Sequence, residues 1–189
     1  PLLIKSPKQQ QQYVIEEPVS TLDFYPSLVA MANGKPPKSQ VLDGDNILPL
    51  LSQRGTENSF DRDAMYFHFP AYLQLNGKSK KKNSSESKNL WRATPSSMIR
   101  MGDYKLIEYF EYGQLELYNL ASDLKETTNL ALIEPEMTAK LYKALQEWCA
   151  STNAPVPTEL NPKFNEKYLL SPESYVTWLQ VQQKLNKLY

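Results

Sequence analysis

The chain has 189 residues, with 21 basic and 21 acidic side chains, one histidine and one cysteine. Balanced charge leaves no electrostatic footprint for a nucleic-acid partner, and no apolar run is long enough for a membrane-spanning helix. One cysteine excludes an internal disulfide, one histidine excludes a multi-histidine metal cluster, and the length suits one core, or one core with a docked extension.

Pro1-Leu2-Leu3-Ile4-Lys5 reads as the last part of a strand. No initiator methionine or leader stands before it, so the chain reads as a portion of something longer. Gln9 to Gln12 is a low-complexity surface loop, and Val14-Ile15 a brief edge strand. Val19 to Asp23 is extended. Pro26 then suits a first helical position, and Asp23 lies where a carboxylate accepts backbone N–H groups at a helix start. Leu28, Val29, Met31 and Ala32 give two apolar turns, and Asn33-Gly34 ends them.

Lys35-Pro36-Pro37 is a non-helical linker. Leu42-Asp43-Gly44-Asp45 is a tight turn before a short buried helix through Ile47, Leu48, Leu50 and Leu51. Asp43 and Asp45 lack the spacing and twelfth-position glutamate of a calcium-binding loop. Residues 63–69 alternate as a strand, with Met65, Phe67 and Phe69 on one face and Tyr66 and His68 on the other. On the residues alone, His68 is either a partly buried strand residue with a satisfied ring or a functional group.

Lys78 to Lys88 carries four lysines in its first five positions and reads as a solvated loop or, alternatively, a polyanion-binding patch. Pro95 to Leu120 is the organising stretch. Strands at 98–101, 104–110 and 114–120 are joined through Gly102-Asp103 and through a loop that Gly113 closes with a positive φ. Tyr104, Leu106 and Glu108 alternate with Lys105, Ile107 and Tyr109, and Leu115 and Leu117 oppose Glu116 and Tyr118. After a polar turn over Asp123 to Asn129, Glu134-Pro135-Glu136 opens a helix at 135–150. Its apolar residues Met137, Leu141, Ala144, Leu145 and Trp148 fall on one face, which should lie across the meander. Residues 152–172 read as a proline-punctuated strap and Ser171-Pro172-Glu173 as the start of a terminal helix.

No Gly-x-Ser-x-Gly, CxxC, His-Glu-x-x-His or Gly-x-Gly-x-x-Gly pattern occurs. Cys149 has no histidine or second cysteine near it in sequence, so it reads as a buried structural thiol, and no nucleophile–base pair is expected. The residues alone describe a small α+β module without a complete active site.

Five motifs in order add to this: Val19-Ser20-Thr21-Leu22-Asp23 through Leu28; Leu42-Asp43-Gly44 with Ile47 to Leu51; Tyr66-Phe67-His68-Phe69-Pro70; Pro95 to Ile107; and Leu115 to Leu120 with Asp123, Glu126 and Asn129-Leu130. Together they resemble the C-terminal half of formylglycine-dependent sulfatases, over residues 1–154. The resemblance implies the sulfatase C-terminal subdomain, an antiparallel four-stranded sheet with a packed helix, over 56–154. Residues 1–55 would be the last elements of an α/β alkaline-phosphatase-like catalytic domain, and 155–189 a C-terminal extension.

In that family a formylglycine made within a Cys/Ser-x-Pro-x-Arg motif and a calcium ion act on the sulfate ester. Cys149 is followed by Ala150-Ser151-Thr152, so the resemblance assigns this chain no catalytic residue and no metal ligand. Calcium and formylglycine are expected on an N-terminal catalytic part, the chain's expected partner, with a sulfated carbohydrate as substrate. The resemblance suggests His68, with Tyr72 and Arg92, as substrate-binding residues on the rim of the active-site mouth. Ala71 stands where many relatives carry a second histidine. The family also suggests export to the periplasm or outside the cell. The alternative is a non-catalytic module derived from a sulfatase, with its lysine loop recognising a sulfated polysaccharide.

Overall fold

A computed structural model of the chain describes residues 2–5, 12, 14–52, 60, 62–74, 91–111 and 113–159. The expected lysine loop, the 171–189 helix and the end of the 47–51 helix at Arg54-Gly55 lie outside the described residues. The chain divides into two compact units, Pro1–Arg62 and Asp63–Tyr189.

In the first unit a 3-10 turn over Thr21–Asp23 runs into helix α1, Phe24–Met31, and helix α2 spans Leu48–Ser52. Ser20 starts the turn. Its side chain accepts the Leu22 N–H, while the Asp23 carboxylate accepts the Ser20 N–H at 2.6 Å. This reciprocal cap sets the helix start ahead of Pro26, which then falls in the first turn of α1, where a missing N–H costs little. Asn33, at φ 57°, turns the chain out of α1 and sends the Gly34 N–H back to the Val29 carbonyl. Asn46 caps α2 by accepting the Leu48 N–H at 3.0 Å. Residues 2–5 and Val14-Ile15 form no strand among the described residues. A strand needs a ladder partner, and the described part of this unit offers none.

In the second unit Met65–Phe69 (β1), Ser96–Met101 (β4), Tyr104–Tyr109 (β5) and Gln114–Asn119 (β6) form one antiparallel sheet in the order β1-β4-β5-β6. A two-stranded ribbon pairs Leu73–Gln74 (β2) with Trp91–Ala93 (β3). Gly102 and Gly113 take φ 56° and 61° in the two tight connections of the meander. Helix α3, Pro135–Ser151, covers one face. The row Tyr66, Ile99, Leu106 and Leu117 runs across all four strands under it, and Leu141 and Leu145 meet it from the helix. Ile99, Leu106, Leu115, Leu117, Leu141 and Leu145 are fully buried. At about 1.5–3 kcal/mol for each buried apolar side chain, this row and its helical cover supply the main stabilisation of the unit. Tyr66 stacks on Trp148 with ring centroids 5.0 Å apart.

The outer edge of β6 is closed by the following loop. Asn129 accepts the Leu117 and Ala131 N–H groups and donates to the Leu115 carbonyl, and the Leu130 N–H bonds the Leu117 carbonyl. A free strand edge is thereby paired within the chain. Asp123 ties the loop by accepting the N–H groups of Thr127 and Thr128. Glu126, in the left-handed region at φ 56°, reaches Lys105 Nζ at 2.7 and 2.9 Å.

Candidate functional site

The row next to the apolar one is polar. His68, Ser97 and Glu108 face one another across β1, β4 and β5, with Leu115 completing the row on β6. His68 therefore shares the α3 side of the sheet with Tyr66, while Phe67 and Phe69 point the other way and stay exposed. The imidazole is half-buried. Its Nδ1 lies 2.7 Å from Ser97 Oγ and its Nε2 2.9 Å from the Pro155 carbonyl oxygen, and the ring tilts against Phe110. Both ring nitrogens thus have partners.

Ser97 Oγ is also 3.8 Å from Cys149 Sγ on α3. The structure thus corrects one expectation. Cys149 does have a histidine near it, one hydroxyl away, brought there by packing α3 over β1 and β4. The pair is still not an activated nucleophile. Burial raises the thiol's pKa and the nearby Glu108 raises it further, against the lowering effect of the Ser97 hydrogen bond.

Glu108 is almost wholly buried. It accepts hydrogen bonds from the Tyr142 hydroxyl at 3.1 Å and from Gln146 Nε2 at 2.7 Å, both on α3. Burial raises its pKa, and these two donors only partly offset that. The same carboxylate and its own burial raise the Tyr142 phenol well above its usual range.

Tyr72 precedes the ribbon by one residue, and Arg92 belongs to its second strand. Pro70 cannot extend the ladder, so the chain leaves β1 and re-enters extended structure within a few residues. Leu73, next to Tyr72, pairs with Ala93, and Gln74 pairs with Trp91, so Arg92 sits at the irregularity between those pairs. Tyr72 is exposed. His68 thus lies in β1, Tyr72 in the connection before β2, and Arg92 in β3. Sequence reasoning missed Ser97, Glu108, Tyr142, Gln146 and the Pro155 carbonyl as the surroundings of His68. The alternation across 96–109 was the signal that could have placed Ser97 and Glu108 in its row.

Among the described residues no group of three or more His, Cys, Asp or Glu side chains could hold a metal ion. Asp23 and Asp45 are both paired with Arg62. Cys149 lies inside α3, with Ser151 where the motif requires proline and Asn153 where it requires arginine. These residues do not fit a calcium ion or a formylglycine. No helix of the described residues is long and apolar enough to cross a membrane.

A four-stranded antiparallel sheet with one long covering helix and a zipped loop after its last strand is the arrangement that the resemblance to sulfatases implied for their C-terminal subdomain. The chain belongs to the family described as N-sulphoglucosamine sulphohydrolase, C-terminal, which matches residues 1–153. It is 34% identical over 149 residues to a sulfatase of Formosa agariphila, covering 72% of this chain and 24% of that protein. It is 27% identical to arylsulfatase K of Mus musculus, over 95% of this chain and 28% of that one. A solved structure described as a complex with its substrate D-glucosamine-2-N,6-O-disulfate matches with TM-score 0.54 and 21% identity, over 72% of this chain and 25% of that one. The chain thus spans about a quarter of the length of these relatives.

Proposed function

We propose that this chain completes the fold of a sulfatase that hydrolyses a sulfate ester of a sulfated carbohydrate, and that it lines the substrate entrance without supplying the nucleophile. The observation that carries the reading is the family match over residues 1–153. A glucosamine carrying N- and O-sulfates, the substrate of one structural neighbour, is the first candidate. His68 and the Tyr72 hydroxyl would serve sugar or sulfate oxygens, and Arg92 would add a charge-assisted contact. Calcium and formylglycine belong to the catalytic part, whose sequence would carry the Cys/Ser-x-Pro-x-Arg motif. On the same reading the protein works in the periplasm or outside the cell.

The test is kinetic. In a protein joining this chain to such a catalytic part, His68→Ala and Tyr72→Phe should each raise KM for the sulfated glucosamine about tenfold and leave kcat within about threefold, as loss of one hydrogen bond to a bound sugar would. A large fall in kcat at unchanged KM would overturn the entrance role.

A further inference from the structure

The only histidine of the sequence has its protons fixed by its neighbours. A carbonyl has no hydrogen to give, so the 2.9 Å contact to Pro155 requires the proton on Nε2. In the neutral ring Nδ1 is then a bare acceptor, and the Ser97 hydroxyl, 2.7 Å away, donates to it. The Ser97 oxygen is left to accept from the Cys149 thiol at 3.8 Å, which burial keeps protonated. The hydrogen bonds run in one direction, from thiol to hydroxyl to imidazole to carbonyl.

The two ends of this relay differ in rigidity. Ser97 is buried in β4, paired to β1 on one side and β5 on the other, and beneath α3. Pro155 lies on the described part of the strap, residues 154–159, which has no helix or strand and leaves α3 after Asn153 at φ 51° and the Ala154 N–H bond to the Cys149 carbonyl. Pro155 and Pro157 have no N–H, so they cannot donate to a ladder that would pin the strap.

We propose that the Pro155 carbonyl fixes His68 as the Nε2–H tautomer, with the Ser97 hydroxyl donating to Nδ1, and that this carbonyl holds the place of a ligand oxygen. His68 then presents a donor, suited to a hydroxyl or sulfate oxygen, and reaches it only by releasing the strap. The ligand half of this statement rests on the entrance reading of His68; the tautomer half does not.

Because there is one imidazole, a two-bond proton–nitrogen correlation spectrum of the full chain reads it without assignment. At alkaline pH, where histidine is neutral, the ring should show protonated Nε2 and unprotonated Nδ1. Ser97→Ala removes only the Nδ1 partner and should keep the single Nε2–H tautomer, because the Pro155 carbonyl still accepts. An Nδ1–H ring in the native protein, or a mixture of tautomers in folded Ser97→Ala, would overturn the role of the carbonyl. If Ser97→Ala does not fold, the native spectrum decides the tautomer. Titration of this chain, isotope-labelled and joined to an unlabelled catalytic part, with glucosamine N-sulfate should move the His68 Nε2 signal and the Val156 amide along one saturation curve. Movement of the ring with a still strap would overturn the placeholder role. A single tautomer with no response to the sugar would support the carbonyl's hold on the ring while overturning both the placeholder role and the entrance reading.

Discussion

Arg62 closes on Asp23 with two nitrogens, at 2.5 and 3.1 Å, across 39 positions of sequence. Asp23 is fully buried, and its carboxylate also accepts the N–H groups of Ser20 and Asp45. Burial pulls its pKa up, but the hydrogen bonds from Arg62, Ser20 and Asp45 and the Arg62 charge outweigh that and hold it below the usual carboxylate range. One carboxylate therefore joins the helix cap, the Asp43-Gly44-Asp45 turn and Arg62. Arg62→Ala would leave a buried charge unpaired and should destabilise the first unit by about 3–5 kcal/mol, measured by urea unfolding. A depressed carboxylate stabilises the fold above its unfolded pKa and loses that contribution as pH falls through its folded value. Asp23→Asn should flatten that acid limb of the stability curve.

Gly44 sits against the turn that Asp23 ends. A methyl group there would lie on the Leu22 carbonyl and 2.7 Å from the Asp23 nitrogen, both backbone atoms that cannot swing aside. Gly44→Ala should cost about 3 kcal/mol or more, above the usual range for an overpacked side chain. Unfolding of the variant at an unchanged urea midpoint would contradict the close approach.

Glu108 gives the opposite pH dependence. Its carboxyl is raised in the folded state, so it favours folding below the ordinary glutamate range, near 4.3, and withdraws that as pH rises through the elevated folded value. Glu108→Gln keeps the shape and can still bond Tyr142 and Gln146. It should match or exceed the native stability at neutral pH and remove the decline over that window. Thermal unfolding across a pH series reads both.

One outward row of the first unit is apolar. Leu22, Tyr25, Leu28 and Met31 are 45–62% exposed and recur every third residue along the 3-10 turn and α1. Such a face marks a surface that seeks cover. Residues 1–189 made alone should self-associate, and Leu28→Lys with Met31→Lys should shift sedimentation toward monomer. A monodisperse native monomer at micromolar concentration would contradict this.

The meander was readable because its signals are local. Alternation set Tyr104, Leu106 and Glu108 on the α3 side, and three- and four-residue steps from Met137 to Trp148 set the helix face; both appear in the structure. The fifth motif also has a physical reading: Asp123 ties the loop, Glu126 pairs with Lys105 and Asn129 closes the edge of β6. Asp23 was legible as a cap but its ion pair was not, since nothing in the spacing links it to Arg62. Cys149 was read as isolated for the same reason, and the partners of the His68 ring were not identified. The meeting of Cys149 and His68 at Ser97 depends on how α3 lies over the sheet, which no local pattern encodes. The start of α1 moved because the Ser20–Asp23 cap acts ahead of Pro26.

The most direct measurement is sulfate release from glucosamine N,6-O-disulfate by residues 1–189 alone and by the same chain joined to a catalytic part carrying the Cys/Ser-x-Pro-x-Arg motif. The account predicts no release by the chain alone and turnover by the joined protein, with KM raised by His68→Ala. Release by residues 1–189 unaided would contradict it.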